Sequence, residues 1–257
     1  MDYKINLEDK SVIITGAASG IGLECVKGFL QNGSDVYMVD FNGKENEDKA
    51  AELRKAFPQN KIFTVTADLT KEEDTEKIIS AVKENTGRVD VLINNAGTGA
   101  NVRSLDETSE GWDRVVSLNL TSHFFVTQKI VKEFMKKQGS GKIVNMCSLS
   151  AFIGVPNAVA YSSSKGAILQ MTKSLAGEWA RFNVQVICVC PGFVETPLIK
   201  ENMENEHWMG YMNMRIPMKR LAKAEDIVGS VLFMSSGLAD YITGASIIVD
   251  GGYSCSG

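Results

Sequence analysis

Histidine is nearly missing from this chain: among 257 residues there are two, His123 and His207, far apart in sequence. A histidine-rich metal centre or a His-based catalytic triad has little to work with, and no metal is expected. Basic runs are missing as well, none exceeding a pair such as Lys136-Lys137, and the formal net charge is -4. Nucleic acid and anionic membranes are therefore not the expected partners. No apolar stretch approaches the ~20 residues that span a bilayer, and Met1-Asp2-Tyr3-Lys4-Ile5-Asn6 lacks the charged-then-apolar layout of a secretory signal. The five cysteines (Cys25, Cys147, Cys188, Cys190, Cys255) are odd in number, with neither disulfide-framework nor zinc-ribbon spacing. That usage suits a reducing, cytoplasmic setting. Linkers, low-complexity tracts and internal repeats are also lacking, so the expectation is one α/β domain over residues 1–257.

What is present is a regular alternation. Residues 11–15 (Ser-Val-Ile-Ile-Thr) form a short, nearly continuous apolar run, as in a strand buried on both faces. It runs into Gly16-Ala17-Ala18-Ser19-Gly20-Ile21-Gly22, followed by a helical pattern carrying Ile21, Cys25, Phe29 and Leu30 and stopped by Asn32-Gly33. Strand, glycine loop and helix N-terminus make a phosphate-binding arrangement, because glycines let backbone approach a pyrophosphate. The spacing is G-x-x-x-G-x-G rather than the tighter dinucleotide fingerprint.

The second strand, 35–39, ends at Asp40, about 20 residues beyond the glycine loop, where a carboxylate accepts from both adenosine ribose hydroxyls. It would repel a 2′-phosphate, and no Arg or Lys stands in the loop or directly after Asp40. The reading is NAD over NADP; the competing one is a strand-end turn or helix cap. Helix 45–57, strand 62–67 closed by Asp68-Leu69, helix 72–85 and strand 89–93 continue the alternation. This predicts a doubly wound, Rossmann-type parallel sheet with helices on both faces and ligand at the carboxyl ends of the strands. Asn94-Asn95-Ala96-Gly97 ends the fourth strand, either as a turn or as a place for a ribose to approach backbone. The long amphipathic segment 110–137 is interrupted on its apolar face by Asn119. That residue is either a core polar group satisfied locally or part of a site.

After strand 142–147 come Ser148 and, further on, Tyr161 and Lys165. A four-residue interval puts phenol and ammonium on one helical face. Bringing a phenol from about 10 to near neutrality takes about 4 kcal/mol of differential stabilisation, so a second cation, such as an oxidised nicotinamide ring, is expected beside the lysine. With the Ser148 hydroxyl, these groups make an acid/base site for an alcohol or carbonyl. A Tyr-x-x-x-Lys pair alone also arises by chance in a chain of this size. Strand 184–190 then leads into Pro191-Gly192.

Taken together, Thr15-Gly-x-x-x-Gly-x-Gly22, Asn94-Asn95-Ala96-Gly97, Asn119, Ser148, Tyr161-x-x-x-Lys165 and Pro191-Gly192 resemble the short-chain dehydrogenase/reductase family over essentially the whole chain. The resemblance implies a seven-stranded sheet, Tyr161 as general acid/base, and Lys165 making that hydroxyl more acidic and holding the nicotinamide ribose. It implies Ser148 orienting the substrate oxygen and Asn119 anchoring a water chain. Gly16, Ser19, Ile21, Asp40, Asp68, Leu69, Asn95, Pro191, Gly192, Val194 and Thr196 would line the cofactor together with Tyr161 and Lys165. Ser163 departs from the family's frequent Ala, and Cys147 from a common Ser; Ser148 rather than Ser150 is chosen for its 13-residue distance from Tyr161. By the same analogy a homotetramer or homodimer is expected.

The substrate lid of the family falls at about 193–220, rich here in Met203, Trp208, Met209, Tyr211, Met212, Met214 and Met218. An adaptable apolar lid suggests a bulky alcohol such as a hydroxysteroid, unless these side chains pack on the lid's own underside or on a second subunit. A sugar alcohol or ketose is the alternative, with Asn202, Glu204, Asn205 and His207 as polar contacts, as is a 3-oxoacyl thioester reductase, against whose usual NADP preference Asp40 argues. A catalytically silent NAD(H)-binding scaffold would typically lose Tyr, Lys or Ser. A nucleotide-binding methyltransferase would have no use for Tyr161 and Lys165.

Overall fold

The computed structural model describes residues 3–99 and 101–255. Seven strands form one parallel sheet in the order β3-β2-β1-β4-β5-β6-β7. They are β1 (Ser11–Thr15), β2 (Asp35–Asp40), β3 (Ile62–Thr66), β4 (Val91–Asn94), β5 (Gly141–Met146), β6 (Val184–Pro191) and β7 (Ser246–Val249). Every residue of β1, β4 and β5 is buried, as expected of strands covered on both faces. One apolar layer, with Ile14, Phe29, Met38, Val144 and Val231, fills one side of the sheet. A second, with Ile13, Tyr37, Ile78, Ile130, Ile143 and Val186, fills the other.

Helix Glu72–Asn85 has the limits its periodicity predicts. Helix Gly43–Ala56 starts earlier than expected because the Asn42 side chain accepts from Glu45 N at 3.3 Å and so caps it. Strand β4 starts later than expected because the Asp90 carboxylate accepts from Ser11 N at 2.9 Å and pairs with Arg88. The long amphipathic segment read over 110–137 is helical without a break over 109–138, but two π-helical turns, Ser117–Thr121 and Val131–Met135, interrupt its α geometry. The aperiodic stretch after β6 resolves into a 3-10 turn at Pro197–Ile199 and helices Lys200–Met203 and Glu206–Arg215.

Strand order reverses between β1 and β4, since chain growth runs outward through β2 and β3 before returning to β4. In open parallel sheets the crevice at such a reversal, beyond the strands' carboxyl ends, is where ligands bind.

Candidate active site

The residues singled out from sequence gather at this carboxyl edge. Thr15, the last residue of β1, uses its buried hydroxyl to accept from Asn95 N and Ala96 N, both at 3.0 Å. Asn95 replies with its side-chain amide, donating to Thr15 O at 3.0 Å and Gly16 O at 3.1 Å. The glycine loop and the Asn94–Gly97 turn are thereby clamped together. Gly22 makes the clamp possible: a Cβ there would lie 2.0 Å from Gly16 O. Gly16 itself has φ +65°, the left-handed region that glycine enters without steric cost.

Ser19 is the N-cap of helix Gly20–Gln31, yet its side chain bonds no N–H of that helix. The helix N-terminus and the Ser19 hydroxyl thus face the loop with donors to offer an anion. Asp40 is 8 % exposed, and its carboxylate accepts from Ala18 N at 3.1 Å and Asn42 N at 3.0 Å. It therefore does part of the turn work that was its competing reading, and in doing so is fixed beside the glycine loop. Asp68 sits beyond β3, where the hydroxyl and N–H of Thr70 and the Lys71 ammonium hold its carboxyl below the usual range. Leu69 is buried beside it. Across the crevice, the methyl carbon of Thr196 lies 3.4 Å from where a Cβ on Gly20 would stand, so the segment after β6 reaches the glycine loop. A Cβ on Gly192 would lie 2.7 Å from that of Asp250. Pro191 closes β6, and Val194 is buried just beyond.

These features fit a dinucleotide. The glycines of the loop let it fold tightly against the Asn94–Gly97 turn, a helix N-terminus borders it, and a fixed carboxylate stands at the end of β2. Gly16, Ser19 and Ile21 would take the pyrophosphate side, Asp40 the adenosine ribose, and Asn95, Lys165 and the Pro191–Thr196 segment the nicotinamide half.

The candidate reacting groups lie just after β5 and on helix Val159–Trp179. Ser148 follows β5 with extended backbone (φ -165°, ψ 158°), and its hydroxyl accepts from Ser150 N at 3.1 Å. Lys165, 4 % exposed, donates from Nζ to Met146 O at 2.8 Å and lies 5.6 Å from the Tyr161 ring centroid. Tyr161 stands half-buried on the same helix, within 3.6 Å of the Cβ position of Gly99. Asn119 is fully buried within the first π turn. Its Oδ1 accepts from Thr98 N at 2.8 Å, and its Nδ2 donates to Thr98 O at 2.8 Å and to Ser164 Oγ at 3.2 Å. Ser164 in turn donates to Tyr161 O at 2.7 Å. Asn119 is thus satisfied locally, and its partners tie the loop after β4 to the Tyr161 turn. π turns recur at functional sites because they re-aim one side chain inside a helix.

Sequence reasoning missed His123, one turn beyond Asn119. It is 1 % exposed, with Nε2 2.7 Å from Ala96 O. Burial, and then the Lys165 ammonium, hold its pKa down to about 3, so the ring is neutral and Nε2–H is the donor. Its position four residues after Asn119 on one helical face was the available signal.

The segment 193–220, expected as a substrate lid, turns part of its apolar surface inward, as the second of its two readings had it. Met203, Trp208, Met209 and Met212 pack with Phe193, Ile199, Ile216, Leu221 and Tyr253 in a small core of their own. Phe193 meets Trp208 and Tyr253 edge-on, with ring centroids 5.8 and 5.2 Å apart. Part of the apolar character of this stretch is therefore spent on its underside, while Tyr211, Met214 and Met218 are exposed.

Among the described residues, no helix is long and apolar enough to cross a membrane. Residues 16–254 match a protein-family model described as enoyl-(acyl carrier protein) reductase. The chain is 36% identical over 256 residues to an NAD-dependent glycerol dehydrogenase of Listeria innocua, covering 98% of this chain and 96% of the relative. It is 36% identical over 248 residues to the 3-oxoacyl-[acyl-carrier-protein] reductase FabG of Thermotoga maritima, covering 96% and 99%. The crystal structure of a gluconate 5-dehydrogenase from Burkholderia cenocepacia, in complex with NADP and tartrate, superposes with a TM-score of 0.93 at 26% identity over 98% of each chain. With the parallel sheet and the Ser148, Tyr161 and Lys165 constellation, these matches establish that the chain belongs to the short-chain dehydrogenase/reductase family of oxidoreductases.

Proposed function

We propose that this protein is an NAD-dependent dehydrogenase that interconverts a secondary alcohol and a ketone on a small polyol or sugar acid. The observation that carries the substrate class is the lid: Met203, Trp208, Met209 and Met212 pack into a small core of their own, which leaves Tyr211, Met214 and Met218 as its exposed large apolar side chains. This reduces the apolar surface that would favour a hydroxysteroid. Asn202, Glu204 and His207 lie outside that small core, while Asn205 is used to cap helix Glu206–Arg215, accepting from Trp208 N at 3.1 Å. The glycerol and gluconate dehydrogenases among the similar proteins support the same class. For the cofactor, the support is Asp40, whose fixed negative charge opposes a 2′-phosphate. The NADP complex of the Burkholderia enzyme makes this preference a point for measurement rather than inheritance.

When bound, NAD supplies the hydride acceptor. The chain's own part is proton handling and orientation. Tyr161 Oη takes the hydroxyl proton of the alcohol in oxidation and returns it in reduction. Ser148, its hydroxyl aimed by Ser150 N, holds the same substrate oxygen. Lys165, anchored to Met146 O with Nζ 5.6 Å from the Tyr161 ring centroid, keeps a cation beside the phenol and would hold the nicotinamide ribose. Asn119 fixes Thr98 and Ser164 around this group, and on this reading it anchors the water chain that carries the proton away. The protein acts as a homotetramer or homodimer in the cytoplasm.

The test is a panel of glycerol, gluconate, a simple alicyclic alcohol and a hydroxysteroid, each assayed with NAD and with NADP. Polyol or sugar acid with NAD should give the highest kcat/KM. A steroid preference, or turnover with NADP alone, overturns the assignment.

A further inference from the structure

Three of the five cysteines meet at one point. Cys147 directly follows β5, and Cys188 and Cys190 alternate along β6. The parallel register pairs Asn145 with Cys188 and Met146 with Val189, so the next step sets Cys147 opposite Cys190. All three side chains therefore share the face covered by helix Val159–Trp179. Their sulfurs lie within 4.8 Å of one another, with Cys188 Sγ and Cys190 Sγ 3.8 Å apart. The thiols are 3 %, 0 % and 0 % exposed, packed with Ile168 and Leu169. A single buried cysteine is a small apolar side chain. Three converging from two adjacent strands present a soft donor set already gathered around one point, although their sequence spacing matches no metal motif.

We propose that Cys147, Cys188 and Cys190 form a trigonal thiolate site for a soft, thiophilic ion of the copper(I) class, and that occupancy inhibits the oxidoreductase. Soft thiolates select copper(I) and zinc among biological ions. Zinc in a closed protein site takes four ligands, and no fourth His, Cys, Asp or Glu joins this group among the described residues. Three sulfurs and no fourth donor suit copper(I) better. Each sulfur that ionises releases one proton to solvent as its bond to the ion forms, and no electron changes hands. The coupling to activity is through Cys147, which sits between Met146, whose carbonyl holds Lys165 Nζ, and Ser148. Its Sγ also donates to Lys165 O at 3.2 Å. Turning that sulfur onto an ion breaks this bond and disturbs the strand end that positions both Lys165 and Ser148.

The experiment titrates the reduced, full-length protein anaerobically with copper(I) supplied as its acetonitrile complex, in competition with a chromogenic chelator. Uptake of one ion per chain is expected. Mass mapping after alkylation in denaturant should show Cys147, Cys188 and Cys190 protected and Cys255, which is exposed, labelled. Turnover should fall at least tenfold at one equivalent and return on chelation. The C188A/C190A double variant should keep its turnover and lose both uptake and inhibition. No stoichiometric uptake, protection confined to Cys255, or unchanged uptake by the double variant overturns the proposal. Should the variant fail to fold, the alkylation map of the native protein decides alone. Uptake is read without turnover, so an error in the assigned substrate leaves the test intact.

Discussion

The ammonium of Lys165 donates to the carbonyl oxygen of Met146 across 2.8 Å, joining the helix that carries Tyr161 to the end of the strand that carries Ser148. The bond is buried and charge-assisted, so it fixes both elements in one geometry. Lys165→Met removes the cation and leaves the carbonyl without its donor, which costs about 1–3 kcal/mol. Thermal unfolding should fall by several degrees and turnover should collapse. Lys165→Arg should not restore turnover, because a planar guanidinium does not reproduce a compact ammonium in a closed site. A fully active arginine variant would show that the cation's shape and place do not matter.

Tyr161→Phe keeps the ring and its packing near Gly99 and Leu198 but removes the group assigned to proton transfer. Loss of a positioned acid/base costs about 10²–10⁴ in rate. The variant should still bind NADH, seen by quenching of protein fluorescence, while turnover falls by at least a hundredfold. Near-normal turnover would refute the role given to this hydroxyl.

Asp40→Ala tests the cofactor reading and the loop together. The NAD-over-NADP ratio of kcat/KM should narrow, because the charge that repels a 2′-phosphate is gone. Stability should also drop, since Ala18 N and Asn42 N both donate to this carboxylate, and bonds to charged groups contribute about 1.5–3 kcal/mol each. An unchanged ratio alongside reduced stability would make Asp40 a loop residue only.

Gly22→Ala places a methyl carbon 2.0 Å from Gly16 O. The neighbour is backbone, so relief requires the glycine loop itself to move. Dinucleotide affinity measured by calorimetry should fall at least tenfold. Gly87→Ala is a useful contrast: its φ of +65° strains the backbone, but a Cβ there meets nothing within 4 Å. It should lower stability slightly and leave binding intact. Equal binding losses in the two would detach the effect from the loop.

Most of this architecture was legible in the sequence because buried parallel strands read as short apolar runs and the motifs mark their carboxyl ends. Helix Glu72–Asn85, with Ile78, Ile79 and Val82 on its buried face, is such a case. What stayed hidden depends on relations between distant segments. The π turn around Asn119 changes the bonding pattern without changing the apolar spacing enough to announce itself. The inward packing of Met203, Met209 and Met212 requires knowing that Phe193 and Tyr253 lie beneath them. The meeting of Cys147 with Cys188 and Cys190 follows from strand register, which the spacing of cysteines along the chain does not encode.

His123 gives the protein a defined response to acid. Its folded pKa is depressed from 6.5 to about 3 by burial and then by the Lys165 ammonium. The unfolded chain therefore binds a proton that the folded chain refuses, at every pH between those values. The sign follows: the stability tied to the neutral ring is fully present above about 6.5 and is lost as pH falls towards about 3. The slope for one such group is about 1.4 kcal/mol per pH unit. His123→Gln retains an N–H able to reach Ala96 O but cannot titrate in this range. Its melting temperature should sit at or below that of the natural protein at pH 7.5 and overtake it between pH 6 and 4.5. Parallel melting curves across that window would mean that the ring is not excluded from protonation, and that its bond to Ala96 O is made by either form.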